Sequence, residues 1–416
     1  MDCLWITLAD PDPAINGQLI YSKGLIESAH AAGAQLCVVG LTRSEKSLLP
    51  PDQPGLTWRL EEEQRLSRRE RWMSPLPDVG LHGAFPRMRQ TLDEAIGARR
   101  WDAVIFDSIC AGWALPNVLR RRQTFSRLVY LAHNHEITVA RRIAEAARGA
   151  RRLVKEIDAL KVVRLERRLA AHADLVTANT PQDCRTFAAE AGPTPVVYLP
   201  PGYGGPQVPF RTIDGATPRR AVIVGSFDWP PKRISLERFL AAATPILARA
   251  GVELQVVGAV ESDYLGSLRE RYPSVTFVGP VDDVRPYMAA ARIALVPDLL
   301  GGFKLKGLDY VFNRIPILAM RIALPGMPLQ DGRSIGLFDS HQALAEGVVA
   351  LIDDLDNLNT RQAAAFEACV RRFDWARIGR HLLAHIKRVT ASTARGGAAA
   401  RASSAGSIRA PVAAGR

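Results

Sequence analysis

Two lysines one residue apart, Lys304 and Lys306, follow the glycine pair Gly301 and Gly302 in the second half of the chain. The apolar run before them predicts a strand, and the apolar spacing after them predicts a helix. Glycines let a ligand approach the backbone closely, and a helix N-terminus presents free N–H groups and a positive dipole end. The segment therefore predicts an anion site; the alternative is a strand–helix loop with solvated lysines.

A second glycine-ended strand has the same character. Gly225 ends the run AVIVG, and Lys232 and Arg233 lie where the next helix is expected to begin. Lysine serves as a point charge for phosphate, and fixed positive groups stabilise a departing anion. The basic side chains of the two segments could together surround a diphosphate.

A carboxylate, Asp309, lies a few residues into the helix predicted after the two lysines. It could accept hydrogen bonds from vicinal hydroxyls of a ligand. Its alternative role is a favourable interaction with the helix dipole.

Polar residues also follow two predicted strands of the first half. Gly17 lies in the loop after CLWITLA, and His133, Asn134, His135 and Glu136 follow RLVYLA. In open α/β sheets, ligands bind at the carboxyl ends of the strands, so both segments are candidate sites. No GxGxxG pattern accompanies Gly17, and a dinucleotide fingerprint is therefore only weakly indicated.

The composition describes a soluble globular protein of two domains. The chain has 416 residues and 47% hydrophobic residues, and no window of ~20 apolar residues that could span a membrane. The N-terminus lacks a basic flank before its apolar run and is expected to be a strand, not a signal peptide. Five scattered cysteines without CxxC or Cys/His metal spacing indicate free thiols in a reducing cytoplasm and no metal site.

The order of predicted elements indicates two similar α/β units. The first begins with a βαβ unit over residues 1–40, which implies parallel strands. Between residues 41 and 100 the pattern predicts one helix, Met88–Ala98, and after the strand AVIVGSF it predicts a helix over Ser235–Ala250. The predicted organisation is a first domain, a Gly/Pro-rich linker, a second domain, a closing helix and a disordered tail: 1–205, 206–218, 219–372, 373–390 and 391–416.

The formal net charge of +12 favours anionic partners, and part of it is concentrated in one predicted helix. Between Arg141 and Arg168 there are ten basic and four acidic residues. A solvated helix face is one interpretation, and contact with an anionic membrane surface is the other. A nucleic-acid binder is disfavoured because aromatic residues do not interleave with the basic ones.

The second half resembles the nucleotide-sugar domain of GT-B glycosyltransferases of family 4. The residues that carry the resemblance are VIVGSFDWPPKRISLERFL, LQVVGA, VTFVGPVDDVRPYMAAARIALVPD, GGFKLKGLDYVFNRIPIL and FDWARIG. The first half agrees more loosely, through its first strand–loop–helix, YLAHNHE and the basic helix before ADLVTANT. The resemblance implies an α/β fold of two Rossmann-like doubly wound domains facing a cleft, with a C-terminal helix that crosses back to the first domain.

The resemblance also implies a function for each domain. The second domain is expected to bind a nucleotide-diphosphate-sugar donor and the first an acceptor, on the side of Gly17, His135 and Glu136. Transfer is expected to retain the anomeric configuration, with no metal and no cofactor beyond the nucleotide-sugar substrate. If the reaction inverted, a general base would be needed, and His133, His135 and Glu136 are the candidates.

Individual positions match the family pattern to different degrees. Lys232 matches the phosphate lysine, His133 the histidine near the donor sugar, and Asp309 the second glutamate of the Glu-x7-Glu motif. The sequence departs from the pattern at Gly301, which stands for the first glutamate, and at Ser226, which stands for an arginine. A branch with a GG-x-basic-x-Lys loop is closer and makes Lys304 and Lys306 the phosphate contacts.

The sequence therefore predicts a glycosyltransferase in which His133 and Asp309 serve catalysis. The predicted donor site comprises Gly225, Ser226, Lys232, Arg233, Gly301, Gly302, Lys304 and Lys306. The expected acceptor is a growing cell-surface glycan or a lipid-linked one, at the cytoplasmic side of a membrane. A non-catalytic glycan-assembly subunit and a sugar-nucleotide epimerase are the alternatives.

Overall fold

The computed structural model describes residues 1–14, 16–43, 53–64, 66–227, 230–299 and 302–389. Gly301 and the predicted tail 391–416 lie outside these ranges. Within them the chain forms two parallel β-sheets flanked by helices.

The first sheet is built from seven parallel strands in the described residues, in the order β3-β2-β1-β4-β5-β6-β7. Their bounds are β1 Asp2–Ala9, β2 Gln35–Thr42, β3 Leu56–Glu62, β4 Trp101–Asp107, β5 Phe125–Ala132, β6 Leu175–Ala178 and β7 Val196–Tyr198. The helices of this half are α1 Gly17–Ala31, α2 Arg68–Met73, α3 Pro86–Gly97, α4 Leu115–Arg120, α5 Glu136–Ala146, α6 Ala150–His172 and α7 Pro181–Glu190.

Helices on both faces explain why the central strands are apolar almost throughout. In β1, Cys3 and Trp5 enter the core on one face of the sheet, and Leu4 and Ile6 enter the core on the other. Successive side chains of a strand point to opposite faces, so a strand buried on both sides must be apolar at consecutive positions. The run of residues 3–6 satisfies this requirement, and the buried hydroxyl of Thr7, which follows it, donates to Asp107 at 3.0 Å.

The second sheet has six parallel strands where the chain is described, in the order β10-β9-β8-β11-β12-β13. The strands are β8 Arg220–Val224, β9 Glu253–Val257, β10 Val275–Gly279, β11 Ile293–Val296, β12 Ile317–Met320 and β13 Gly336–Phe338. The helices are α8 Pro230–Arg249, α9 Ser262–Arg271, α10 Arg285–Ala289, α11 Leu305–Phe312, α12 His341–Leu351, α13 Leu355–Cys369 and α14, residues 375–389.

The last helix, α14, returns to the first sheet. Ile378, Leu382, Leu383 and Ile386 are buried in the same core as Cys3 and Trp5 of β1. The expectation of a helix that crosses back to the first domain is therefore confirmed.

Two local predictions were wrong. The segment 41–100 contains β3 and α2 in addition to the predicted helix; β3 is the edge strand of its sheet and only Leu56 in it is fully buried, so its hydrophobic pattern is weak. Helix α8 begins at Pro230, earlier than the predicted Ser235. Proline is compatible with the first turn of a helix, where the missing N–H has no intrahelical partner.

Candidate functional site

The candidate site lies at the carboxyl ends of the strands around which each sheet reverses its order. In the first sheet these are β1 and β4, and in the second sheet β8 and β11. Open α/β sheets bind their ligands at such switch points because the loops that follow the two strands diverge there. Asp107 ends β4, Gly225 follows β8, and Asp298 lies two residues after β11.

Loops of the two halves meet at this place. A Cβ atom on Gly302 would lie 3.1 Å from Oδ1 of Asn134, and one on Gly17 would lie 3.7 Å from Cδ1 of Leu305. The hydroxyl of Tyr198 donates to the carbonyl oxygen of Gly326 at 2.8 Å. The glycine-rich loop before α11 therefore faces the segment that follows β5 in the first half.

The two lysines predicted from sequence converge on a buried carboxylate, Asp298. Nζ of Lys306 donates to Oδ2 of Asp298 at 2.5 Å, and Nζ of Lys304 lies 4.0 Å from its other oxygen. Burial raises the pKa of Asp298, but the charges of Lys306, Lys304 and Lys232 outweigh this and hold it below its usual range. The carboxylate is therefore ionised and orients the lysines.

Lys304 is largely buried beside Asp298. Burial lowers its pKa to about 8; Asp298 raises it, and Lys306 and Lys232 lower it further. Lys232 thus lies within electrostatic reach of both Asp298 and Lys304, as the prediction of one shared anion site requires. Three lysines thus lie within electrostatic reach of one aspartate, and lysine binds phosphate as a point charge.

Arg233 and Gly225, also predicted for this site, have other contacts. The guanidinium of Arg233 donates to the carbonyl oxygen of Phe227 at 2.8 Å and pairs with Glu261 at 3.1 Å. It also lies over the ring of Tyr264, 4.7 Å from its centroid. Arg233 is therefore directed toward α9 and not toward the lysines.

The backbone of Gly225 lies close to Gly258, after β9. A Cβ on Gly258 would lie 1.7 Å from the carbonyl oxygen of Gly225, whereas a Cβ on Gly225 would meet only the ring of Phe227 at 3.6 Å, so the close approach requires a glycine at 258. Ser226, the next predicted residue, is half-buried at the same strand end.

Asp309 faces the segment that connects the two sheets. The hydroxyl of Tyr203 donates to the carbonyl oxygen of Pro206 at 3.2 Å and also interacts with the Asp309 carboxylate, and the Tyr203 ring stacks on Phe312 at 4.4 Å. Burial raises the pKa of Asp309 to about 6, and the interaction with Tyr203 opposes this. The predicted role of Asp309 toward ligand hydroxyls stays a prediction, and its observed contact is with the connecting segment.

His133 is held by Asp107, a residue that the sequence analysis did not assign to the site. Nε2 of His133 donates to Oδ1 of Asp107 at 2.6 Å, while Trp5 and Thr7 donate to the other carboxylate oxygen at 3.1 and 3.0 Å. Burial raises the pKa of Asp107, but His133, Trp5 and Ser22 outweigh this and hold the pKa below its usual range.

The contact with Asp107 determines the tautomer of His133. A carboxylate accepts a proton from Nε2, so Nδ1 of the neutral ring carries a lone pair. This Nδ1 is buried and has no hydrogen-bond partner among the described residues. The same is true of Oδ1 of Asn179, whose amide nitrogen donates to the carbonyl oxygen of His133. Two unpaired polar atoms close together are typical of a place where a ligand binds.

His135 and Glu136 do not join His133 in one cluster. Nδ1 of His135 lies 2.6 Å from Oγ1 of Thr138, and its ring packs edge-on against Phe187 in the interior of the first half. Glu136 accepts from Asn134 at 3.0 Å, and burial raises its pKa. Asn134, unlike His135, reaches the glycine loop of the second half.

Glu166 was also missed by the sequence analysis. It accepts the backbone N–H groups of Glu136 and Ile137 at 3.1 and 2.8 Å, and the hydroxyl of Tyr130 at 3.0 Å. Burial, together with Glu136, raises its pKa to about 8. It therefore caps the first turn of α5, the helix that begins next to the site.

A comparison with protein families identifies the second half. Residues 218–354 match the family model described as "Glycosyl transferases group 1". Residues 218–354 form a glycosyl transferases group 1 domain. The matched range contains Lys232, Asp298, Lys304 and Lys306, which supports the resemblance noted from the sequence. No curated protein matches the sequence of the chain.

Solved structures identify the fold as GT-B. A sucrose-phosphate synthase from Thermosynechococcus elongatus superposes with a TM-score of 0.66 at 18% identity, covering 94% of this chain and all of that one. HepE from Anabaena, in complex with UDP and glucose, superposes with a TM-score of 0.64 at 17% sequence identity, covering 93% of this chain and 100% of HepE. WaaG, a glycosyltransferase involved in lipopolysaccharide biosynthesis, superposes with a TM-score of 0.62 at 16% sequence identity, covering 92% of this chain and 99% of WaaG.

The glycosyl transferases group 1 domain and the GT-B fold confirm the predicted fold class and support a glycosyltransferase as the class of enzyme. In the described ranges no three His, Cys, Asp or Glu side chains are grouped so that they could hold a metal ion. Across the same part of the chain, every helix is too short or too polar to cross a membrane.

Proposed function

We propose that the protein transfers a sugar from a nucleotide-diphosphate-sugar to a hydroxyl of a glycan or lipid-linked acceptor. The observation that carries this proposal is the cluster of Lys232, Lys304 and Lys306 around Asp298, at the switch point of the second sheet. Fixed cations in a partly desolvated site stabilise the charge that develops on a departing diphosphate. HepE, a protein of the same fold, was crystallised with UDP-glucose, which agrees with a donor of this class.

The proposed reaction retains the anomeric configuration. The bond between the anomeric carbon and the diphosphate oxygen breaks, and the acceptor oxygen bonds to that carbon on the same face. The acceptor proton moves to an oxygen of the leaving nucleoside diphosphate, so no protein base is required. The protein contributes position and charge. His133, fixed by Asp107, offers its Nδ1 lone pair to a donor-sugar hydroxyl.

We also infer that the acceptor is presented at the cytoplasmic face of an anionic membrane, in the synthesis of a cell-surface polysaccharide. Support comes from the charge of the α5–α6 region, Arg141–Arg168, with ten basic and four acidic residues. Basic amphipathic helices attract anionic lipid headgroups. Helix α5 starts three residues after His133, so this region leads directly from the site.

Thermal-shift measurements with a panel of nucleoside diphosphates and nucleotide-sugars test the donor part. A ligand at about 100 times its Kd stabilises the folded state by about 2.7 kcal/mol, and Tm rises accordingly. We expect one nucleoside diphosphate to raise Tm of the wild type, and Lys304→Ala and Lys306→Ala to abolish both this rise and donor turnover.

Lys387→Ala is the matched control, because it removes the same charge from an exposed position on α14. Lys304→Ala keeps the Lys306–Asp298 hydrogen bond and therefore separates ligand binding from folding. Unchanged turnover in both site variants would contradict the proposal. Ligand binding without transfer or donor hydrolysis would instead identify a non-catalytic subunit, and a changed sugar without any acceptor would identify an epimerase.

A further inference from the structure

Two neighbouring helices of the first half expose large apolar side chains to solvent. On α2, Trp72 and Met73 are 71% and 73% exposed, and on α6, Leu153 and Leu160 are 63% and 62% exposed, with Val154 and Ile157 also on the surface. Isolated apolar side chains on a surface are ordinary, but six within two helices form a patch that needs a partner. We call these six residues the α2–α6 patch.

The apolar residues of α6 form a stripe opposite to its buried face. Leu153, Ile157 and Leu160 are spaced by four and three residues, which places them on one side of a helix. The residues that pack on the protein core lie on the other side and begin only at Ala159: Ala159, Val162, Leu165, Leu169 and Ala170. The exposed stripe is thus additional to the apolar face that folding requires.

Helix α2 is linked to the same part of α6 through Asp78. Arg71 pairs with Asp78, and the backbone N–H of Asp78 donates to Oδ1 of Asp158 at 2.8 Å. Asp158 lies between Ile157 and Leu160 in the sequence of α6. These contacts tie the helix that carries Trp72 and Met73 to the turns of α6 that carry the exposed stripe.

Positive charge surrounds the apolar residues. Lys161, Arg164 and Arg168 continue the side of α6 that carries Ile157, at intervals of four, three and four residues. The whole Arg141–Arg168 region carries six more basic than acidic residues. A surface of this charge repels a second copy of itself and attracts an anionic partner, whereas apolar side chains need a medium that excludes water.

An anionic lipid bilayer meets both requirements. We propose that the α2–α6 patch inserts into the boundary between headgroups and acyl chains on the cytoplasmic face of an anionic membrane. Trp72 then lies at the headgroup level, and the basic side chains contact lipid phosphates. This inference rests on the proposed membrane association and adds the residues that penetrate the bilayer. It also sets the orientation, because α5, which packs beside α6, starts at the site.

Vesicle co-sedimentation tests the proposal with the full chain and vesicles of equal parts phosphatidylcholine and phosphatidylglycerol. Two double variants remove apolar insertion without changing charge: Trp72→Ser with Met73→Ser, and Leu153→Ser with Leu160→Ser. We expect each to weaken partitioning at least about tenfold, since each loses the burial of two large apolar side chains. Phe210→Ser is the control, because the side chain of Phe210 is 77% exposed but lies outside the patch. This variant should bind the vesicles as the wild type does.

A third variant, Arg151→Glu with Lys155→Glu, tests the electrostatic contribution. Wild-type binding that falls in this variant but persists in both serine variants would overturn insertion and leave only surface attraction. An absence of wild-type binding, or a concentration-dependent dimer that the serine variants dissociate, would overturn the membrane as the partner. The thermal shift with nucleoside diphosphates should remain in all these variants, so failure here is distinguishable from failure of the donor site.

Discussion

At the scale of residues, the candidate site is organised by two buried aspartates, each of which holds side chains that the sequence predicts for the site. Asp298 binds the two lysines of the glycine loop, and Asp107 binds His133. Both are ionised because the cations or donors beside them outweigh the desolvation of the carboxylate. Each aspartate follows or ends a strand at a switch point, so the sheets position the acids and the acids position the loops.

The lysines and His133 were predicted from the sequence as site residues, but the aspartates that contact them were not. Lysines after a glycine pair are conspicuous, whereas Asp107 and Asp298 are single carboxylates next to apolar runs, like many surface residues. Only the pairing of distant segments, Asp107 with residues of β1 and with His133, distinguishes them. A position immediately after a buried strand was the one signal available.

The depressed pKa of Lys304 predicts a pH dependence of donor binding. Burial lowers this pKa to about 8, so the free protein loses the charge of Lys304 as pH rises above that value. The phosphate charge is constant there, since its second pKa is about 6. Affinity for the nucleoside diphosphate should therefore fall, approaching about tenfold per pH unit while binding requires uptake of one proton. Calorimetric titration between pH 7 and 10 measures it.

Lys304→Arg is the control for this dependence, because arginine remains charged throughout the range. The affinity of the Lys304→Arg variant for the nucleoside diphosphate should vary less between pH 8 and 10 than that of the wild type, whatever its absolute value. For the free protein the sign is opposite: the unfolded chain, with a lysine pKa near 10.4, holds more protons than the folded one in this window. The contribution of Lys304 to the free energy of unfolding therefore rises with pH. An affinity independent of pH would contradict a desolvated phosphate lysine.

At the scale of elements, the sequence predicts those strands and helices that have a clear hydrophobic pattern or end at a glycine. The buried strands β1, β5 and β11 were identified because consecutive apolar residues are required between two helical layers. β3 and β13 were not, because edge strands bury fewer side chains and carry a weaker pattern. Register and strand order follow from contacts between distant segments, and the resemblance to a known family supplied what the local pattern could not.

The glycine loop before α11 requires a conformation that other residues adopt only at a cost. Gly302 has φ +102°, and a Cβ there would also lie 3.1 Å from Oδ1 of Asn134 across the cleft. Gly302→Ala should therefore cost about 1 kcal/mol or more of stability. It should also reduce donor turnover, because the loop that carries Lys304 and Lys306 and the side chain of Asn134 must shift apart.

Gly332→Ala is the matched control for Gly302→Ala. Gly332 also has a left-handed φ, +78°, but a Cβ on it would have nothing within 4 Å. Both variants should lose stability through backbone strain, and only Gly302→Ala should lose activity. Equal turnover in the two would show that the position of the glycine loop against Asn134 does not matter for catalysis. Thermal unfolding and a nucleoside-diphosphate release assay, run on both proteins, give the two quantities.

At the scale of the molecule, the two halves are tied together by the return of the chain. Trp375, the first residue of α14, fills the space beside two glycines. A Cβ on Gly24 would lie 2.1 Å from the indole ring, and a Cβ on Gly202 would lie 2.5 Å from it. One of these glycines is in α1, and the other is in the connecting segment. The indole therefore packs where helix, connection and return helix meet, and large apolar contacts of this kind restrict domain motion.

The crossing of α14 over α1 depends on a third glycine. A Cβ on Gly379 would lie 2.2 Å from the carbonyl oxygen of Ser28, a backbone atom that cannot rotate away. Gly379→Ala must therefore separate the two helices, and overpacking of this kind costs about 1–3 kcal/mol, more than the improved helix propensity returns. We expect a lower Tm and faster trypsin cleavage at Arg371 and Arg372, which precede α14.

Gly266→Ala in α9 is the matched control for Gly379→Ala. A Cβ on Gly266 would have nothing within 4 Å, so this variant should raise the free energy of unfolding by about 0.5–1 kcal/mol. If Gly379→Ala instead melted at or above the wild-type Tm, close packing of α14 on α1 would not be what holds the two halves together.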